Sequence, residues 1–410
     1  MKHTPISSRL ISICTLIALL AFTLLATGFS AQPASAAGTG AFVTTITVDS
    51  GTDVNTSMSE TCLTKTPCTL RRAIVQARAL PASQRPILIQ FNIPATAGEG
   101  YDSALKIWKL TPLSPSDQFV FRSLEGGQIT LDGSTQPGGR TTGPKIILYG
   151  PGTGSKNGLK VAETSASTNS SNVVRGLAFQ NFSVHLQVNS DDNTIEDNWF
   201  GLNSQGTGPA LRNIHDLAQG TGTGGVSLGA GITGNLIQNN VFLGLNGNAA
   251  VIRGEANTFS DNYVGTTADG KVLNKKTDPT LICTPEDWFG GSGLLVDGPD
   301  HVIKNNIIAG VRLEISHYST QPDAIWVEST CDRCVIQNNK IGIDTQNKKV
   351  GVCGIGIDIT NGEQIQVLNN TFAETYNSAI FLNGALFDAN TLRGNIVYRS
   401  TPWLFPEGSP

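Results

Sequence analysis

Residues 362–372 read GEQIQVLNNTF, a short alternation of apolar and polar side chains that ends on two adjacent asparagines, Asn369 and Asn370. The phrase recurs as NTIEDNWF from Asn193, NLIQNNVF from Asn235, NTFSDNYV from Asn257, HVIKNNII from His301 and CVIQNNKI from Cys334. The second asparagine serves as a register mark: Asn198, Asn240, Asn262, Asn306, Asn339, Asn370 and, in TLRGNIV, Asn395, with Gly176 of NVVRGLAF in the equivalent place. Successive marks lie 22, 42, 22, 44, 33, 31 and 25 residues apart, which reads as one or two coils of about 22 residues each, some swollen by a loop. Periodicity of this kind denotes a stacked repeat rather than a set of unrelated turns.

About ten residues before each mark stands a second alternating segment: HLQVN from His185, GVSLGA from Gly225, GLLVDG from Gly293, AIWVES from Ala324, GIDITN from Gly356 and AIFLNG from Ala379. Period-two alternation is the mark of a half-buried strand. Two to three such strands per coil, with no helical period between them, predict parallel strands wound about one axis. Coils stacked every ~4.8 Å bring a bend to the same place in each rung. An asparagine there can bond both its own bend and the asparagine of the next rung; leaving such buried groups unpaired would cost about 1–3 kcal/mol each.

The pattern G-I-x-I followed by I-x-N-N-x-I resembles the repeats of right-handed parallel β-helix proteins, the pectin-lyase-like superfamily, over residues 126–400. Upstream, PCTLRRAIVQA (Pro67 to Ala77) with FVTTITVDSGTD before it and ILIQFNIP after it is similar to the CSLREA domain of secreted bacterial proteins, departing from it at Thr69 and Arg72. The expected fold is therefore an all-β, right-handed parallel β-helix solenoid with an N-terminal capping segment containing one amphipathic helix. The expected divisions are a secretory signal peptide at 1–36, a CSLREA-like cap at 37–125 and the β-helix at 126–410. Leu70, Ile74, Ala77 and Leu80 share one face of a helix predicted over Thr69–Leu80 with Thr69 as N-cap, placed to plug the first rung, whose open strand edge would otherwise invite aggregation. Trp403, Leu404 and Phe405 are candidates for the same task at the other end.

Lys2, His3 and Arg9 precede an apolar run from Ile11 to Leu25, and Ala34-Ser35-Ala36 supplies a small-residue cleavage pattern, so export to the cell exterior or surface is expected. No other stretch is long and apolar enough to span a bilayer. Taking Lys2 and Arg9 from 28 basic residues leaves 26 against 32 acidic ones, a net charge of −6, which excludes a nucleic-acid binder driven by phosphate attraction. Six cysteines remain beyond Cys14. Cys62 and Cys68 are the expected disulfide, and Cys331-x-x-Cys334 has neither a second CxxC nor the βαβ context of a redox motif. Gly220-Thr-Gly-Thr-Gly-Gly225 fits GxGxxG, but a polar loop precedes it and a strand follows it, against the requirements of a dinucleotide site.

Stacking the alternating segments aligns their outward residues into two columns. The first holds Gln187, Ser227, Leu295, Trp326, Asp358 and Phe381, and the second Asn189, Gly229, Asp297, Glu328, Thr360 and Asn383, joined by Arg253. Asp297, Glu328 and Asp358, with Arg253 as charge partner, are the candidate catalytic groups, because carboxylates this close bind a cation, share a proton or repel. Trp326, Phe381 and Asn383 are the candidate substrate contacts. Catalysis would need the three carboxylates to converge in a groove walled by loops such as Thr266–Gly291. No cofactor is required, though the carboxylates leave room for calcium. Of the motif set that the resemblance would bring for pectin-active hydrolases, only Asp191-Asp192 is present, and there is no Gly-His-Gly. His185, His215, His301 and His317 have no ligand or triad spacing and are expected at the surface. The expected activity is polysaccharide binding or adhesion, toward an extracellular polysaccharide or cell-surface glycan. The alternative is a polysaccharide lyase or glycoside hydrolase acting on the β-helix groove. Oligomeric state is left open.

Overall fold

The computed structural model describes residues 41–410 apart from 54–58, 114–117, 152–155, 166, 211–222, 246, 273–292, 312–322, 376, 384–388 and 401–410. The signal segment, Trp403 to Phe405, His215, His317 and most of the loop to Gly291 lie outside the described residues. Three sheets of 11, 8 and 11 strands run along the chain, and from Leu159 onward each coil contributes one strand to each, paired in parallel with the coils before and after it; one antiparallel strand pair occurs at the start, Tyr101–Asp102 against Ile107–Leu110. This is a parallel β-helix. In chain order a coil runs through the eight-stranded sheet, then the sheet that begins with Thr44–Val48, then the sheet that ends with Ile396–Ser400.

The asparagine marks occupy the corner between the two eleven-stranded sheets. There the residue before each mark has left-handed backbone: Asp197, Asn239, Asp261, Asn305, Asn338 and Asn369 all have φ between 54° and 59°. Asn and Asp tolerate this region, which explains the first member of each pair. The second member forms the ladder. Asn306, fully buried, accepts from the backbone N–H of Asn262 at 2.9 Å, donates through Nδ2 to Phe259 O at 3.0 Å, and gives its own N–H to Oδ1 of Asn339 at 2.9 Å. The same exchange runs from Asn198 through Asn240 to Asn262, and from Asn339 through Asn370 to Asn395.

Three expectations change. Gly176 does not hold the asparagine's place: Ala178 pairs with Trp199, so Gly176 aligns with Asp197 and has φ 67°, while the N–H of Leu177 meets Asn198 Oδ1 at 3.1 Å. Glycine replaces the strained first residue, not the ladder amide. The 42- and 44-residue intervals are each one coil, because Asn198 bonds Asn240 directly and Asn262 bonds Asn306. Finally, His185 and His301 are buried rather than superficial. The Nδ1 of His301 accepts from Asn257 N at 3.1 Å, in a second ladder through Asn172, Asn193, Asn235 and Asn257 at the corner before the same sheet. That ladder is the first letter of four of the recurring phrases, from Asn193 to His301; in CVIQNNKI the place is taken by the disulfide-bonded Cys334. Burial lowers the pKa of His301 and brings His185 down to about 4; the ring of His185 packs edge-on against Phe182 and Phe200.

Inside, Phe179, Phe200 and Phe242 stack at 5.1 and 4.9 Å between ring centres. The helix Leu70–Ala79 buries Leu70, Ala73, Ile74 and Ala77 in the same core as Ile46, Val48, Ile87 and Ile89, so it closes the first coils as the sequence predicts. The two departures at its start have work to do there. Thr69 caps the helix by accepting from Arg72 N at 3.4 Å, and the Arg72 guanidinium pairs with Glu60 at 2.7 Å and donates to Pro67 O at 2.7 Å. The Cys62–Cys68 disulfide sits just before it, and Cys331 bonds Cys334 in the core. At the far end, Leu392 and Val397 continue the buried columns of Val367 and Phe372 yet are 46% and 48% exposed, since no further described rung covers them. Thr223–Gly225, the described end of the glycine-rich segment, lies within the strand Thr223–Leu228, where a dinucleotide site would open a helix. Among the described residues no helix is long and apolar enough to cross a membrane.

Candidate functional site

The outward columns of the eight-stranded sheet are in register. Gln187 pairs with Ser227, Ser227 with Val251, Val251 with Leu295, Leu295 with Trp326, Trp326 with Asp358 and Asp358 with Phe381. The strand Asn248–Ile252, which supplies Val251, is the rung from which Arg253 emerges. Trp326 and Phe381 are 38% and 42% exposed, large apolar groups held in water by the pleat. One column across, the Arg253 Nε stands 3.5 Å from Asp297 Oδ2, and Thr330 Oγ1 donates to the other oxygen of that carboxylate. Glu328 follows on the next rung, its N–H on Val296 O at 2.9 Å, and Asn383 lies opposite Thr360.

The three predicted carboxylates share a face but form two groups. Partial burial and then the charge of Asp297 raise the pKa of Glu328, with Arg253 opposing. Asp358, between Trp326 and Phe381, is raised by burial alone; its Oδ1 is buried with no hydrogen-bond partner among the described residues. Its charged neighbour is Asp323, which lies outside the alternating segments of the sequence. Asp323 is 9% exposed and accepts from Ile355 N at 2.8 Å; burial first and the charge of Asp358 last push its pKa up to about 7. Roots two residues apart on adjacent strands are separated by ~7–8 Å, so Asp358 and Glu328 share a face without sharing a proton. Among the described residues, no three His, Cys, Asp or Glu side chains come together as a metal site.

A concavity lies elsewhere. At the asparagine corner a groove of about 510 Å³ is lined by Trp199, Tyr263, Val241, Asp197, Asn239 and Asp261, with Arg140 and Lys145 on its border. The described part of the insertion after Thr266 reaches this groove through Ala268, not the carboxylates of the eight-stranded sheet. Its signal was present in the phrases EDNWF and SDNYV, where an acid, a ladder asparagine and an aromatic follow one another.

No family model matches the chain, and no curated protein does. Among solved structures it is similar to Geobacillus virus E2 ORF18, at 10% identity and TM-score 0.36 over 96% of this chain and 64% of that one. It is also similar to the A-module of the Azotobacter vinelandii mannuronan C-5 epimerase AlgE6, at 11% and 0.36 over 81% and 95%. A third likeness is to the tailspike protein of E. coli bacteriophage HK620 in complex with pentasaccharide, at 10% and 0.28 over 76% and 55%. The chain thus spans less than two thirds of the length of the first and third. Likenesses at these values decide nothing about a ligand; the three continuous parallel sheets make the fold on their own.

Proposed function

We propose that the protein is an exported glycan-binding module, and that the eight-stranded sheet is its binding face. The observation that carries this reading is the column Trp326–Asp358–Phe381, two exposed aromatic rings on either side of a carboxyl group. Aromatic faces cover the apolar side of a sugar ring, and carboxyl and amide groups such as Glu328 and Asn383 take its hydroxyls; this is the sparse polar pattern that fixes orientation in a binding site. Disulfides in the described chain fit an oxidising compartment. A glycan array comparing the full chain with Trp326→Ala tests the reading: retention on one glycan class that falls at least tenfold in the variant supports it, and an unaltered profile removes it.

Hydrolysis is the second reading, favoured by Asp323 and Asp358, one carboxyl held near neutral pH beside another. Release of reducing ends from neutral or uronide glycans, with and without calcium, abolished by Asp358→Asn, would establish it. Turnover without dependence on Asp358 would place the chemistry elsewhere.

A further inference from the structure

The corner groove combines an aromatic pair, a polar rim and balanced charge. Trp199 pairs with Val241 and Val241 with Tyr263, so the two aromatic residues stand two rungs apart in one outward column with a small residue between them. Two rungs are ~9.6 Å at ~4.8 Å each. Carbon atoms in contact sit ~3.5–4.0 Å apart, so a ring with a wall on each side needs ~7–8 Å. Adjacent rungs would be too close and three rungs too far. Each wall is braced from outside the groove, Trp199 by Ile107, Ile147 and Ala178, and Tyr263 by Ile307, Ala309 and Val350.

The rim repeats the same spacing. Asp197, Asn239 and Asp261 occupy successive rungs at the left-handed corner position, and all three are exposed. Two bases also line the groove, and their charges are already engaged by backbone carbonyls. Arg140 covers one side of Trp199 at 4.8 Å and donates to Ser204 O and Pro144 O, while Lys145 donates to Gln136 O at 2.7 Å. Burial lowers the pKa of Arg140 to about 10, so it stays charged at neutral pH. Two acids and two bases share the lining, so the groove carries no net formal charge, which suits an uncharged ligand. A volume of about 510 Å³ falls within the ~300–1,000 Å³ of small-molecule sites.

We infer that this groove is a second saccharide site, apart from the eight-stranded sheet, which seats one uncharged sugar residue between Trp199 and Tyr263 and takes its hydroxyls on Asp197, Asn239 and Asp261. With a binding face on another sheet, one chain then holds two points of a polymer, or two polymers, at once.

Ligand-detected NMR titration of the full chain with glucose, galactose, mannose, cellobiose and lactose, and with glucuronate and glucosamine as charged counterparts, tests this. At least one neutral sugar is expected to bind, to lose about tenfold in affinity in Tyr263→Ala and about threefold in Asp261→Asn, and to keep its affinity in Trp326→Ala; these fold-changes are order-of-magnitude expectations for losing one wall or one hydrogen bond. The charged counterparts are expected to bind more weakly. Asp261 is exposed, so its variant keeps the test valid if Tyr263→Ala fails to fold. Binding by no neutral sugar, or binding that survives both groove variants, overturns the inference. Loss in Trp326→Ala alone would overturn it while leaving the eight-stranded face as the glycan site.

Discussion

The asparagine corner and the outward face of the eight-stranded sheet are built from the same rungs and obey different rules. At the corner each ladder side chain answers the amide of the rung before it, so almost any change leaves a buried group unpaired. On the face, successive rungs offer Ser227, Val251, Leu295, Trp326, Asp358 and Phe381, and the pleat accepts all of them. The buried amides of the first region specify the fold. The second region is free to vary, as the ligand face proposed for it requires.

That contrast breaks most sharply at Asn306. Asn306→Ala leaves the backbone N–H and the side-chain amide of Asn262 without their shared acceptor and takes one donor from the carbonyl of Phe259 in the interior, and is expected to lower stability by ~3 kcal/mol or more. The same change at Asn395, in the last described rung, is expected to cost about half of that because water reaches its neighbours; denaturant unfolding of both variants checks the ratio. Equal costs would mean that the ladder is not an interior device.

Asp323 sharpens the comparison from the side of the face. Its carboxyl releases its proton at about 7 in the fold against ~3.9 in an unfolded chain. Between those values the unfolded chain has lost a proton that the native state keeps, so raising the pH favours unfolding. The stabilisation is complete below pH ~4 and disappears as pH climbs through ~7. Melting curves across that window should show a fall for the wild type that Asp323→Asn flattens, since asparagine can still accept from Ile355. Smaller again is the expected effect of Trp326→Ala on stability, within ~0.5 kcal/mol as for other surface changes, together with the loss of glycan retention. Least of all, Arg253→Ala should leave stability within ~1 kcal/mol, as exposed ion pairs do, while raising the titration of Glu328 further, which carbon-detected NMR of the glutamate carboxyl would show.

Legibility in the sequence follows the same division. The ladder, the columns and the helix at Leu70 were readable because buried periodicity repeats the same side chains at fixed places. Asp323 was not, because the phrase QPDAIWV shows an acid before a strand without showing that its carboxyl folds beneath the next coil. His301 reads as a surface residue because the second ladder ends there on an imidazole nitrogen, an acceptor that no asparagine spacing reveals. Gly176 was placed one residue late since glycine substitutes for the strained member of a pair whose two members look alike. Trp199 and Tyr263 were quoted within the repeats, but their distance apart depends on how many coils fill each long interval.

Coil number is therefore the quantity to measure. Spin labels at Gln187→Cys and Phe381→Cys, read by pulsed electron-electron double resonance, report the backbone separation along one column. Six rungs at ~4.8 Å predict ~29 Å. If each long interval held two coils, eight rungs would give ~38 Å, and both the shared binding face and the aromatic clamp at the corner would be contradicted.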